Sequence, residues 1–239
     1  MTIAAKAVRE LVIENPSSTR VFEQLGIDYC CGGDKSLEQA CRTANLEIDQ
    51  VLDSLEKPET STASPTAQDW QKDPLSALIA HIENTHHKYT RDELARLRPM
   101  LEKVCEVHGK KHPELLGIHE AFEALYQELI GHMMKEEMIL FPYIKQMEAA
   151  KMAKREVGPA PFGPVRNPIA MMAHEHDSAG NALRAMREAS KGYSAPADAC
   201  VSFQTLYRAL GEFEADLHQH IHLENNVLFP RAIALEGAR

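Results

Sequence analysis

HMMKEEMILFP at residues 132–142 and HIHLENNVLFP at residues 220–230 are one pattern written twice, at an offset of 88 residues. Around each copy, inward-phased residues recur at alternating spacings of four and three. The first series is Ile118, Phe122, Leu125, Leu129, His132, Glu136 and Ile139; the second is Leu206, Leu210, Phe213, Leu217, His220, Glu224 and Val227. This spacing marks the buried seam of a bundle helix, so a histidine and a carboxylate stand where apolar residues belong. Within each copy the two are four residues apart and share one helix face, separated by roughly 6 Å of rise. One such pair reads equally well as a buried His–Glu hydrogen bond. Two pairs do not, because four ionisable groups in one core each cost on the order of several kcal/mol to desolvate unless a strong counter-charge meets them. A binuclear metal site is the economical explanation, and a purely structural bundle the weakest.

Working outward, the sequence from Trp70 predicts four helices, each opened by a proline in its first turn: Pro74, Pro113, Pro168 and Pro196. Gly109 is expected to close the first and Gly192 the third. Residues 158–164, GPAPFGP, are the longest break. Pro142 and Pro230 should bend their helices about one turn beyond the ligand pairs, since proline lacks the backbone donor. No stretch alternates with period two, so the fold class is all-α.

The other two helices must complete the site. Ile169, Met172, His176, Ala179, Leu183 and Met186 form an uninterrupted seam that carries His176 inward and sends His174 elsewhere. On the first helix His81, His86 and His87 compete, and periodicity alone leaves His86 and His87 open. The interval from His87 to His132 is 45 residues and that from His176 to His220 is 44, which favours His87. His108, His112, His119, His218 and His222 read as surface or loop residues. The resulting set is His87, His132, Glu136, His176, His220 and Glu224. Imidazole and carboxylate without thiolate suit iron, manganese or zinc. With both carboxylates bridging, each metal has four protein ligands, which leaves open positions on a cation that prefers six.

The rest of the chain sets the context. Its 239 residues allow a large domain with a small appendage. A net charge of −9 argues against nucleic-acid or anionic-membrane partners. No apolar run approaches a membrane span, and residues 1–11 lack the core of a secretion signal. Five cysteines, an odd number, fit a reducing compartment, so a cytoplasmic location is expected. Residues 1–57 read as a small helical domain, with amphipathic segments near 4–14, 17–25, 36–44 and 47–56. Pro16 suits a first helical position, and Ser36 with Gln39 has capping-box spacing. Residues 58–69 have linker composition and imply some freedom between this domain and the bundle at 70–239.

With the ligands in view, the chain resembles the hemerythrin-like di-iron proteins, and more closely the bacterial iron–sulfur cluster repair family. The metal-site motifs carry the first likeness, and Asp28-Tyr29-Cys30-Cys31-Gly32-Gly33 the second. The resemblance implies a four-helix bundle holding a non-haem centre of two Fe ions with Glu136 and Glu224 bridging. It also implies a role in restoring iron–sulfur clusters damaged by nitric oxide or peroxide, by donating iron or handling nitric oxide. Damaged iron–sulfur proteins are the implied partners, nitric oxide or O2 the small ligands, and a homodimer is an admissible assembly. The rival functions are a reversible O2/NO sensor or carrier and a di-iron nitric oxide reductase. Unlike oxygen-carrying hemerythrins, helix three lacks a His-x3-His pair, which argues against oxygen transport.

Adjacent cysteines chelate one metal poorly. Together with the resemblance, however, the Gly-Gly turn and a nearby helix start favour a thiol role for Cys30 and Cys31. Cys41, Cys105 and Cys200 read as structural. Glu128, one turn before His132, and Glu175, beside His176, read first as solvated residues; the alternative is that they orient ligands or line an iron route.

Overall fold

The computed structural model describes residues 2–56, 68–158 and 160–237. Most of the expected linker, residues 58–67, lies outside the described residues.

The N-terminal module holds α1 (Val8–Glu14), α2 (Ser18–Leu25), α3 (Leu37–Thr43) and α4 (Ile48–Glu56). Ser36 caps α3 reciprocally: its Oγ accepts from Gln39 N at 3.3 Å, and its own N–H donates to Gln39 Oε1 at 3.1 Å. Gly26 ends α2 in the left-handed region at φ 66°, where a side chain would be strained. Pro16 lies in the turn before α2 rather than at its first position. Among the described residues the only extended pairing is an isolated bridge between Ala7 and Ser36.

The bundle comprises α5 (Leu75–His81), α6 (Lys88–His108), α7 (Glu114–Lys135), α8 (Phe141–Met152), α9 (Arg166–Ala189), α10 (Val201–Leu223) and α11 (Phe229–Gly237). Three π-helical turns join consecutive members of this set: Ile82–His87, Glu136–Leu140 and Glu224–Leu228. The long helices form a ring, α6 against α7 and α10, and α9 against α7 and α10. Pro74 and Pro113 stand at the N-caps of α5 and α7, Pro168 lies in the first turn of α9, and Gly109 caps α6. Pro196 does not open α10. It sits in the preceding turn, accepting at its carbonyl from Ala199 N, and Cys200 is the N-cap. Gly192, at φ 72°, closes the turn after α9 by donating to Arg187 O at 2.8 Å.

Two separate apolar clusters fill the interior. The larger runs through the inner faces of α6, α7, α9 and α10, with Leu97, Phe122, Leu183 and Phe213 among its members, and it continues without interruption into Phe22, Tyr29 and Leu37 of the N-terminal module. The smaller, with Ile79, Phe141, Met172 and Phe229, fills the opposite end. At about 25 cal/mol per Å2 buried, each fully enclosed leucine or phenylalanine contributes about 2 kcal/mol toward folding. A polar layer separates the clusters, and it consists of histidines and glutamates.

The N-terminal module is docked rather than loosely tethered. His218 Nδ1 lies 2.8 Å from Glu23 Oε1, and the Tyr29 ring packs edge-on against His218 and His222. Among the described residues no helix is long and apolar enough to cross a membrane.

Candidate metal centre

The π turns explain how the ligands reach the layer. In an α-helix the ring of Pro142 would clash with the carbonyl of Met138 and leave it without a donor. The turn ahead of the proline is widened, and Phe141 N–H donates to Glu136 O, five residues back. Phe229 N–H donates to Glu224 O in the same way ahead of Pro230. The irregularity expected from the prolines therefore falls on the carboxylate ligands themselves. The third π turn ends on His87.

His87, His132, Glu136, His176, His220 and Glu224 meet in this layer, all at most 2% exposed. Their donor atoms form two groups, His87–Glu136–His220–Glu224 and His132–Glu136–His176–Glu224, each with every pair of atoms within 4.8 Å. Both glutamates belong to both groups. In the first half, His87 Nε2 and His220 Nε2 are 3.1 Å apart, and His220 Nε2 is 3.1 Å from Glu224 Oε1. In the second, His132 Nε2 and His176 Nε2 are 3.0 Å apart, and His176 Nε2 is 3.1 Å from Glu224 Oε2. Glu224 thus turns one oxygen to each half. Glu136 Oε2 lies between them, 3.4 Å from His87 and 3.3 Å from His132.

The imidazoles are oriented from outside. His87 Nδ1 lies 2.7 Å from Glu137 Oε1, which Arg91 also holds at 2.6 Å. His132 Nδ1 lies 2.8 Å from Glu175 Oε2, whose other oxygen pairs with Lys135. His176 Nδ1 lies 2.9 Å from Asn225 Oδ1. These acceptors hold a proton on Nδ1 and aim Nε2 at the centre, as ligand-orienting groups do. Glu175 therefore takes the orienting alternative. Glu128 is exposed and accepts from Ser178 Oγ. Glu137 and Asn225 are additions that the seam did not disclose; each directly follows a carboxylate ligand.

Without a cation the layer is electrostatically unfinished. Both oxygens of Glu136, Oε2 of Glu224 and Nδ1 of His220 are buried without a hydrogen-bond partner. Burial and the neighbouring carboxylate both act to raise Glu136, but the imidazoles of His132 and His87, 3.3 and 3.4 Å away, hold it below the ordinary range. Burial likewise acts to raise Glu224, and His220, His176 and His87 outweigh it. For His87, burial alone would lower the pKa, yet the two carboxylates raise it to about 10. His132 rises against burial to about 9 through the same pair and Glu175. His220 is lowered, first by burial. Two carboxylates thus face two imidazoliums, and four imidazole nitrogens and the carboxylate oxygens converge where cations can replace the protons. The donor set fits two adjacent divalent cations sharing both carboxylates.

The remaining histidines are distributed as follows. His86 is buried outside the donor set, 3.0 Å from Asp216 and stacked 5.7 Å from His220. His174 is exposed. His222, expected at the surface, is buried beneath Tyr29 of the N-terminal module, and burial lowers it to about 4. His86, His222 and His81 line a cavity of about 350 Å3 between that module and the bundle, together with Trp70 and Val12.

Cys30 and Cys31 lie in the loop that docks on α9. Asp28 Oδ1 accepts from the N–H of both, at 3.1 and 3.0 Å. The sulfurs are 3.8 Å apart, and Cys31 Sγ lies 3.6 Å from the carbonyl oxygen of His176. The start of α3 lies six residues after Cys31, and hydrogen bonding to Cys31, then burial, push the Cys30 thiol up. Of the other cysteines, Cys41 is buried, Cys105 bonds to Leu115 O, and the exposed Cys200 lies 3.2 Å from His108 Nε2.

The Hemerythrin HHE cation binding domain matches residues 78–232. A second model, the ScdA_N domain of unknown function, matches residues 4–59. The iron-sulfur cluster repair protein YtfE of Pectobacterium carotovorum is 40% identical over 98% of this chain and 99% of its own length. The chain belongs to the iron–sulfur cluster repair family. Other members of that family are YtfE of Yersinia pseudotuberculosis, 39% identical over 93% of the chain and 94% of its own length, and a probable iron-sulfur cluster repair protein of Haemophilus influenzae, 35% identical over 98% and 99%. The family resemblance and the all-α hemerythrin-like architecture read from the sequence both agree with these matches, and the repair family's cation-binding domain spans every residue of the buried layer.

Proposed function

We propose that this protein holds a non-haem di-iron centre on His87, His132, Glu136, His176, His220 and Glu224, and that it restores iron–sulfur clusters damaged by nitric oxide or peroxide. The observation that carries this reading is the pair of half-sites sharing both buried carboxylates. When bound, the two ions supply redox-active cations with positions left for small ligands such as nitric oxide or O2. The chain's own residues do the rest. Glu136 and Glu224 neutralise and bridge, while Glu137, Glu175 and Asn225 fix the imidazoles. The two apolar clusters keep bulk water from either side of the layer.

Iron is also the cargo in this reading. With one histidine from α9, the centre has one imidazole fewer than a His-x3-His pair there would give and each half offers two, so iron is held less completely than in a closed structural site. Iron–sulfur proteins are the recipients, in a reducing cytoplasm where five free thiols persist. The test is anaerobic incubation of the iron-loaded protein with an apo iron–sulfur hydratase, inorganic sulfide and a thiol reductant. Recovery of hydratase activity at the expense of protein-bound iron is expected. Tight reversible O2 binding without iron transfer would establish the carrier instead, and nitrous oxide over many turnovers would establish the reductase.

A further inference from the structure

Three consecutive residues of the π turn Glu224–Leu228 face three different tasks. Glu224 enters both half-sites. Asn225 holds His176 through its Nδ1. Asn226 turns away from the centre, and its Nδ2 lies 3.2 Å from Tyr29 O, 3.2 Å from Cys30 O and 3.0 Å from His222 Nδ1. It therefore ties the backbone of the cysteine loop to α10.

The other anchor of the loop is α9. Cys31 Sγ sits 3.6 Å from His176 O, and one turn on, the missing side chain of Gly180 leaves room: a Cβ there would lie 3.6 Å from the same sulfur. Both elements that hold the loop thus also hold the second half of the centre, α9 with His176 and the π turn with Glu224. Beyond these anchors the Tyr29 ring packs edge-on against His218 and His222 of α10, and Arg184 reaches Asp28 only at 3.9 Å.

We propose that the turn Glu224–Leu228 is a strap through which cation occupancy sets the accessibility of the Cys30 and Cys31 thiols, with Asn226 as the positioning residue that transmits it. The proposal rests on the di-metal reading above. Glu224 turns one oxygen to each half-site, Oε2 lying 3.1 Å from His176 Nε2, so a cation held between those donors would tie the turn to the centre, and the amide of Asn226 then holds the loop shut. Removing the cation leaves the turn anchored by less, and the loop opens more often.

Metal content is measured first, on anaerobically prepared protein that is either iron(II)-loaded or chelator-stripped. Each form is then exposed to iodoacetamide, and labelling of the Cys30–Cys31 peptide is followed by mass spectrometry, with Cys200 as the internal reference. The loaded wild type should label about tenfold more slowly than the stripped form, corresponding to a local opening made rarer by that factor. Asn226→Ala should label fast in both forms while keeping its metal content. Asn226→Asp, which keeps the shape but presents a carboxylate to two carbonyls, should behave likewise. Equal rates in loaded and stripped wild type would overturn the coupling. So would an undiminished loaded-to-stripped difference in either variant. Failure to bind metal at all would instead refute the di-metal reading, and the metal analysis separates that result from the other two.

Discussion

Loading the centre with a divalent cation should expel two protons from each chain. At pH 7 the metal-free layer carries imidazolium at His87, raised to about 10, and at His132, raised to about 9, against the ionised Glu136 and Glu224. A cation bound by Nε2 of each ring must replace the proton there. Because one imidazolium sits in each half-site, each dissociation constant should fall about tenfold per pH unit between about 6.5 and 8. Isothermal titration with manganese(II) or anaerobic iron(II), repeated in buffers of different ionisation enthalpy, counts the protons directly. The same groups govern the metal-free fold. The raised histidines stabilise it fully below their unfolded value of about 6.5, and that contribution disappears as pH climbs through about 9 and 10. The lowered carboxylates contribute above about 4.5 and lose their contribution on acidification. The Tm of the stripped chain should therefore fall between pH 7 and 10, while that of the loaded chain, whose protons have already left, falls less. Release of fewer than one proton per chain, or an affinity indifferent to pH, would refute the charge assignment.

Glu224→Leu removes an oxygen from each half and should abolish tight binding of both metals, whereas His220→Ala should spare the second half and leave about one metal per chain, both read by elemental analysis. Since the leucine also removes a carboxylate that faces the His87 imidazolium, the stripped Glu224→Leu chain should be less stable than stripped wild type in urea denaturation at pH 7. Glu137→Gln weakens the support of His87 without touching the centre, and metal affinity measured by chelator competition should drop by about 10- to 100-fold. Arg187→Ala strands Glu214, which is 2% exposed and held by Nε and Nη2 of that guanidinium at 3.0 Å; the expected cost is on the order of 3 kcal/mol in chemical denaturation with metal content unchanged.

The seam periodicity carried much of this architecture because a bundle helix has one inward face, and His132, Glu136, His176, His220 and Glu224 all lie in phase with it. His87 needed the interval between copies as well, since a π turn ends there and shifts the phase that an α-helical count assumes. The same turns hid Glu137 and Asn225. On a regular helix a neighbour of an inward residue points away at about 100°, and only the widened turn lets both residues of each doublet serve the layer. His222 was misplaced for a different reason. It faces outward from the bundle, and what covers it is Tyr29, nearly two hundred residues earlier in the chain. Helical periodicity reports which face is apolar, not which face a second module will cover. The docking of the N-terminal module was illegible for the same reason: its polar contacts, Glu23–His218 and Asn226 to the Tyr29 and Cys30 carbonyls, join exposed-looking residues, and its apolar contacts join faces that each segment's own periodicity reads as internal to its own module. Pro196 shows the limit of turn signals, since a proline after alanine marks a turn as readily as a helix start.

The claim beneath all of this is that the buried layer holds two cations close enough to share carboxylates. Mössbauer spectroscopy of anaerobically reconstituted, 57Fe-enriched protein, with iron counted on the same sample, tests it most directly. Two irons per chain with the diamagnetic ground state of an exchange-coupled diferric pair after oxidation is the predicted result. One iron per chain, or a magnetically isolated high-spin signal accounting for all of it, would contradict it.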